Sequence, residues 1–256
     1  MFRRSALLLL ISALLITGCV SNTAKRDPLK TSEGREQAVL AYVDLGKGYL
    51  RSGNPERAKE PLRSALEIAP DHPEALEALA LVFQFEQEPE LAEGYYRRAL
   101  SKSSEPRILY NYGGFLYEQK RFSEAYAQFL KASADTLYSG RSAVFESLGI
   151  TALRMGNTDE AKKHLKKSLR LNRNQPRALL ELTELSVAAK DYLPARDYYK
   201  LYTRLTDQQD ARSLWLGIQL ARVFDDRDTE ASYGLQLKRL FPASNEYQQY
   251  RQTGGR

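Results

Sequence analysis

The sequence has little of what covalent or metal chemistry requires. It contains one cysteine, Cys19, and two histidines, His72 and His164, among 256 residues. A single cysteine excludes a disulfide framework and a cysteine-based metal cluster within the chain. The histidines fall in a predicted loop and in a basic helix, far apart in the repeat order and without a third ligand, so we expect no metal site.

Motifs for phosphate binding and nucleophilic catalysis are also missing. There is no phosphate-cradling glycine loop and no Gly-x-Ser-x-Gly turn. Acidic side chains alternate with basic ones along the chain, as they do on solvated helix faces. The net charge of +6, from 38 basic and 32 acidic residues, is mild and interspersed and does not indicate a nucleic-acid partner. We therefore predict no catalytic residue, cofactor or small-molecule substrate.

The apolar run at the N-terminus, Ala6 to Ile16, is too short to span a bilayer as a helix. Arg3 and Arg4 precede it, which is typical of a signal peptide. The residues that end it, Ile16-Thr17-Gly18-Cys19, resemble the lipobox of bacterial lipoproteins, whose cysteine is acylated after cleavage. The alternative interpretation is a plain secretory signal with an accidental cysteine.

The lipobox resemblance implies that residues 1–18 are removed and that Cys19 anchors the chain in lipid. In such signals an aspartate after the cysteine retains the protein in the inner membrane. Here Val20 follows, which implies the outer membrane with the protein facing the periplasm. The polar stretch Ser21 to Gln37 is predicted to be a flexible tether that reaches about 20 Å, so we assign residues 19–37 to anchor and tether.

From Ala38 onward the chain repeats with a period near 34 residues. In the first repeat, apolar and small residues follow helical spacing on both sides of a break at Gly53-Asn54-Pro55. Six repeats can be registered on the small residue of the first helix and the alanine twelve positions later, with Thr183 and Gln219 standing in place of the small residue in the last two. The pairs are Gly46 and Ala58, Ala80 and Ala92, Gly113 and Ala125, Gly149 and Ala161, Thr183 and Ala195, and Gln219 and Ala231.

This pattern, aromatic-x2-Leu-Gly-x2-Tyr followed by Ala-x3-Leu and Pro, resembles the tetratricopeptide repeat. Small residues at the crossing let two antiparallel helices approach closely, and stacking of the units buries their apolar faces. We expect an all-α, right-handed solenoid of about six repeats over residues 38–244, with a divergent last repeat and a C-terminal tail at 245–256. Gly113-Gly114 is attributed to a helix crossing.

Groove positions of the first helices carry apolar side chains where a purely structural solenoid could carry charge. Such patches usually mark binding sites, and aromatic anchors dominate interface energies. The alternative is that the tether or neighbouring repeats cover them. The predicted protein-binding groove consists of Leu81, Phe85, Tyr110, Tyr117, Ile150 and Leu153.

The densest basic run lies in the second helix of repeat four. It is interpreted as a solvated helix face, and contact with an acidic partner or with lipid is the alternative. The run consists of Lys162, Lys163, Lys166, Lys167 and Arg170.

The combination of lipobox, short tether and six repeats resembles the type IV pilus biogenesis lipoproteins called pilotins. The motifs that carry the resemblance are Leu15-Ile16-Thr17-Gly18-Cys19, Tyr49-Leu50-Arg51-Ser52-Gly53-Asn54 and Asn111-Tyr112-Gly113-Gly114-Phe115-Leu116. The family implies a non-enzymatic outer-membrane protein that binds secretin subunits and promotes their localisation and multimerisation. The alternatives are another envelope scaffold, such as an adaptor for cell-wall enzymes, and an enzyme, for which no catalytic cluster is found.

Overall fold

The computed structural model describes residues 28–254. This part of the chain is helical apart from short turns, and it divides into two compact units between Pro70 and Asp71. A 3₁₀ turn at Pro28–Lys30 precedes two α-helices in the first unit. The first unit contains α1 (Ser32–Arg51) and α2 (Pro55–Ile68). The second contains α3 (Pro73–Phe85), α4 (Pro89–Lys102), α5 (Pro106–Glu118), α6 (Phe122–Ser133), α7 (Arg141–Arg154), α8 (Thr158–Leu171), α9 (Pro176–Ala188), α10 (Tyr192–Leu205), α11 (Ala211–Val223), α12 (Arg227–Leu240) and α13 (Asn245–Gln252).

The first twelve helices pair into six hairpins, from α1 with α2 to α11 with α12. Within the second unit each hairpin also contacts the next one along the chain, as expected for stacked units that cannot bury their apolar faces alone. The predicted all-α architecture of helix-turn-helix repeats is confirmed.

Each hairpin turn closes in the same way. The second residue after the first helix has a positive φ, between 54° and 78°, and the N–H that follows donates to the carbonyl five residues earlier at 2.8–2.9 Å. This is the Schellman arrangement, which favours glycine at the left-handed position. Gly53 and Gly156 meet that preference, whereas four turns use other residues: Gln87, Lys120, Lys190 and Asp225. Only two of the six turns therefore carry the glycine signal.

Small residues lie where the paired helices cross. A β-carbon added to Gly46 would lie 2.5 Å from Cγ of Leu62, and one added to Gly149 would lie 2.5 Å from Cγ of Leu165. Both leucines are fully buried. The two crossings thus have no room for any side chain, which agrees with the registers predicted for repeats one and four.

Thr183 takes the place of the small residue in the fifth hairpin. It is completely buried, and its hydroxyl donates to the carbonyl of Leu179 at 2.8 Å. The polar group is satisfied within its own helix, so a threonine is tolerated at a position that is glycine or alanine in the first four hairpins.

The register predicted for the sixth hairpin is wrong by one residue. Its turn geometry aligns Ile218 and Glu230, not Gln219 and Ala231, with the paired positions of the other hairpins. Ile218 is fully buried, while Ala231 is exposed and Leu235 is 66% exposed. The predicted register fails because the large and small side chains have exchanged helices in this hairpin. The large residue, Ile218, lies on the first helix, so the small residue must lie on the second.

That small residue is Gly234 in α12. The ring of Tyr250, in α13, fills the space beside it and is only 6% exposed. Ser244 accepts a hydrogen bond from the N–H of Tyr247 at 3.1 Å and so caps α13. Residues 245–252 are therefore a capping helix packed on the sixth hairpin, and not the C-terminal tail predicted from the sequence.

The first helix also begins earlier than predicted. The side chain of Thr31 accepts a hydrogen bond from the N–H of Gly34 at 3.0 Å, which is an N-cap, and α1 starts at Ser32. Residues 32–37, assigned to the flexible tether from their polarity, are helical. Cys19 and the rest of the predicted anchor lie outside the described residues.

Candidate protein-binding site

One cavity brings together three of the six predicted groove residues. Tyr110 and Tyr117 in α5 and Ile150 in α7 line a cavity of about 280 Å³. Tyr110 and Tyr117 are seven residues apart and therefore lie two turns apart on one helix face. Other lining residues are Gly114, Glu118, Phe129, Ser147, Thr151 and Arg177. We call this cavity the α5–α7 groove.

The two tyrosines of the groove are held by their neighbours. The ring of Tyr110 lies 5.7 Å from that of Phe129, and the ring of Tyr117 meets Phe122 edge-on at 5.3 Å. Arg154 Nε donates a hydrogen bond to the Tyr117 hydroxyl at 3.0 Å. Side chains that are already ordered lose little rotamer freedom when a partner binds, which favours affinity.

Gly113 and Gly114 have different surroundings, which corrects the assignment of both to a helix crossing. A β-carbon on Gly113 would lie 2.6 Å from Cε1 of Phe129, whereas one on Gly114 would meet nothing within 4 Å. Gly113 therefore permits the close approach of α5 and α6. Gly114 forms an open floor of the groove between Tyr110 and Tyr117.

The other predicted groove residues lie outside this cavity or present little surface. Phe85, at the end of α3, is 64% exposed, while Leu81 and Leu153 are partly buried. Ile150 is only 7% exposed and packs against Leu165, so it acts as a wall and not as a protruding anchor. The structure thus brings Tyr110, Tyr117 and Ile150 together on one cavity, which Phe85, Leu81 and Leu153 do not line.

Comparison with known proteins identifies the family. Tetratricopeptide-repeat models match residues 39–82, 78–139 and 147–210. The type IV pilus assembly protein PilF of Pseudomonas aeruginosa is 56% identical over 248 residues, which cover 96% of this chain and 97% of PilF. The chain belongs to the PilF family of tetratricopeptide-repeat proteins.

Solved structures of two such proteins have the same fold as this family member. A structure of Pseudomonas aeruginosa PilF, 56% identical, superimposes with a TM-score of 0.84 and covers 86% of this chain and 99% of that one. PilW, described as a widely conserved type IV pilus biogenesis factor, is 28% identical, with a TM-score of 0.71, and covers 84% of this chain and 99% of that one. The predicted resemblance to a tetratricopeptide-repeat protein of type IV pilus biogenesis is confirmed.

Two carboxylates on first helices are buried, contrary to the prediction that the acidic residues are solvated. Glu77 is fully buried, pairs with Arg107, and accepts a hydrogen bond from Asn111 Nδ2 at 2.7 Å. Glu146 is 8% exposed and accepts from the backbone N–H of Ala178 at 3.3 Å. Both lie three residues before the small residue of their hairpin, which is the repeat position of Tyr110. This shared position is the sequence feature that could have singled them out.

Burial raises the pKa of Glu146, while a nearby positive charge and the backbone hydrogen bond oppose the shift. The charge is that of Arg177, which lines the α5–α7 groove. One side of the groove is therefore polar, and a bound segment would meet a cation there beside two aromatic rings.

The two histidines have structural partners. His72 caps α3 by accepting from the N–H of Ala75 at 3.4 Å. His164 is 8% exposed, and its Nε2 lies 2.8 Å from the hydroxyl of Tyr126. Among residues 28–254, no three potential ligands come close enough to hold a metal ion, and no helix is long and apolar enough to cross a membrane.

The first unit has exposed apolar side chains of its own. Leu40, Tyr42 and Leu45, all in α1, are 45%, 38% and 49% exposed. Tyr42 and Leu45 also line a cavity of about 600 Å³ together with Tyr49. The i, i+3 spacing of Tyr42 and Leu45 predicts a packed helix face, but the structure leaves both side chains exposed. Their exposure makes them a second candidate contact surface.

Proposed function

We propose that this protein acts as a pilotin, a non-enzymatic outer-membrane lipoprotein of type IV pilus assembly. In this role it binds secretin subunits and promotes their localisation and multimerisation. The observation that carries the proposal is the 56% identity to a type IV pilus assembly protein over 96% of the chain. The two proteins align over nearly their whole lengths, so the proposed role extends to the chain as a whole.

The α5–α7 groove is the proposed docking site for an apolar secretin segment. Aromatic residues are the commonest energetic centres of protein interfaces, and Tyr110 and Tyr117 stand on either side of the open floor at Gly114. Phe85, which is largely exposed on a neighbouring first helix, would extend the contact. A solenoid needs no catalytic group for this task, because binding alone raises the local concentration of the subunits.

The sharpest test of the groove is to fill it. In a strain lacking the gene, we would express Gly114→Leu and measure secretin multimers and twitching motility. Because the added side chain enters open space, we expect normal thermal melting together with loss of both functions. The matched control is Gly94→Leu in α4, an exposed helical glycine beside which a β-carbon would also meet nothing within 4 Å; it is expected to function normally.

Truncation of the aromatic side chains is a second test of the α5–α7 groove. Three alanine variants are needed: Phe85→Ala, Tyr110→Ala and Tyr117→Ala. Each should melt within a few degrees of wild type. Each should also weaken secretin binding, because loss of a central anchor commonly costs about 2 kcal/mol, or roughly thirtyfold in affinity.

Two outcomes would contradict this site. Normal secretin assembly in these variants, with failure of Lys163→Ala/Lys167→Ala, would place the binding surface on the basic face of α8. Failure of Leu45→Ser alone would place it on the first unit.

The proposed lipid anchor is tested separately with Cys19→Ser. This change removes the acylated sulfur and leaves the helical repeats intact, so we expect a folded protein that is absent from outer-membrane fractions, with misplaced secretin. Stable membrane attachment generally needs two acyl chains or an equivalent second signal. A variant that still labels with lipid and fractionates with the outer membrane would refute the anchor assignment.

A further inference from the structure

A second cavity, of about 480 Å³, lies among α8, α9 and α10, apart from the α5–α7 groove. Its apolar floor is formed by Leu169, Leu179, Tyr198 and Leu201. Leu201 is 43% exposed, so the floor is open to a partner and not closed by the fold. We call this cavity the α8–α10 groove.

The rim of the α8–α10 groove is positively charged. Lys166 and Arg170 in α8, four residues apart on one helix face, and Arg173 just beyond the helix complete its lining, which contains no acidic residue. Four other cavities in the described part of the chain each include at least one glutamate. Cations around an apolar floor favour a ligand with the opposite charge.

These three cations are exposed and make no ion pair with any residue of the range 28–254. Some other cations of the second unit are paired: Lys163 with Glu160 at 3.4 Å, and Arg121 with Glu93 at 2.8 Å. Asp191 and Asp197 lie close enough to add to burial in raising the pKa of Tyr198, but neither lines the groove. The rim therefore keeps its charge available.

We propose that the α8–α10 groove binds an acidic amphipathic segment of a partner protein. Apolar side chains of that segment would fill the floor between Leu169 and Leu201, and its carboxylates would pair with Lys166, Arg170 and Arg173. A membrane surface is flat and would touch protruding side chains, whereas this floor is recessed. The chain's own segment 19–27 is a poor occupant because it carries Lys25 and Arg26 against a single acid, Asp27.

The inference does not rest on the secretin proposal, because it concerns a different surface and a ligand of different chemistry. Its test uses the full chain in detergent micelles and a rhodamine-labelled helical peptide of about 14 residues. The peptide has leucines at positions i, i+3, i+4 and i+7, flanked by glutamates. A second peptide with glutamine in place of glutamate is the ligand control, and binding is measured by fluorescence anisotropy.

We expect the glutamate peptide to bind and the glutamine peptide to bind at least about tenfold more weakly, with affinity falling as salt is raised. Lys166→Glu/Arg170→Glu should weaken the glutamate peptide by about tenfold or more. The matched variant Lys131→Glu/Arg239→Glu makes the same charge change at exposed cations of α6 and α12 and should bind normally. Leu201→Ser should weaken both peptides, and circular dichroism melts confirm that each variant is folded.

Three results would overturn the proposal. Equal binding of both peptides would show that the groove does not recognise acids. Binding to vesicles that contain phosphatidylglycerol, lost in Lys166→Glu/Arg170→Glu while neither peptide binds, would make the ligand a membrane surface. Self-association in sedimentation that the same variant abolishes, again without peptide binding, would make the occupant a second copy of this chain.

Discussion

Two neighbouring glycines in α5 show how one helix serves both packing and recognition. Gly113 faces α6, where Phe129 leaves no room for a β-carbon, and Gly114 faces the α5–α7 groove, where nothing lies within 4 Å. One residue along an α-helix rotates the side-chain direction by about 100°, which is enough to pass from the core to the groove. The same residue type thus permits close approach at one position and leaves open space at the next.

The largest effect is expected where a crossing glycine receives a long side chain. Gly149→Leu or Gly46→Leu would force a branched side chain against a fully buried leucine and should cost about 1–3 kcal/mol or more. For Gly149→Leu, the damage should spread to the adjacent repeats because the hairpins of the second unit contact their neighbours. Urea unfolding followed by circular dichroism measures this, and unchanged midpoints in both variants would show that the crossings are misassigned.

Gly113→Ala should have an intermediate effect. The added methyl would lie 2.6 Å from a ring carbon of Phe129, which is only 2% exposed and cannot swing into solvent. Part of this cost is offset because alanine favours helix by about 1 kcal/mol over glycine. We therefore expect a net loss of about 1–2 kcal/mol, seen as a lower thermal midpoint. A gain in stability would contradict the close approach of α5 and α6.

Gly114→Ala should have the smallest effect, with the opposite sign. The methyl group enters open space, so the helix-propensity term acts alone and stability should rise by about 0.5–1 kcal/mol. The pair is informative because sequence context and helix are shared, and only the direction of the side chain differs. If both alanine variants melted alike, the distinction between a packing glycine and a groove glycine would be lost.

A second comparison, between the fourth and sixth hairpins, shows where sequence reasoning fails. In the fourth, Gly149 and Ala161 stand at the expected spacing, and the structure agrees with the predicted register. In the sixth, the small residue has moved to Gly234 on the second helix, and the space beside it is filled by Tyr250 from α13. The repeat motif expects the small residue on the first helix. Packing requires only that one of the two facing residues, on either helix, be small.

The apolar and aromatic character of the candidate site could be predicted from the sequence, but the residues that line it could be predicted only in part. The step positions of Tyr110 and Tyr117 indicated groove residues, and the structure places both on one cavity. The same logic treated Ile150 as exposed although neighbouring helices bury it. Groove exposure depends on how far the next hairpin covers a position, which no single-repeat pattern encodes.

By itself, the sequence determined the helical class, the period near 34 residues and the close crossings at Gly46 and Gly149, because these depend on local spacing and side-chain size. Tertiary structure alone decided which face Gly114 occupies, which carboxylates are buried, and that residues 245–252 cap the last hairpin. Those outcomes depend on contacts between helices that are distant in sequence. Their energies come from burial and volume at the meeting surfaces, and local pattern does not contain them.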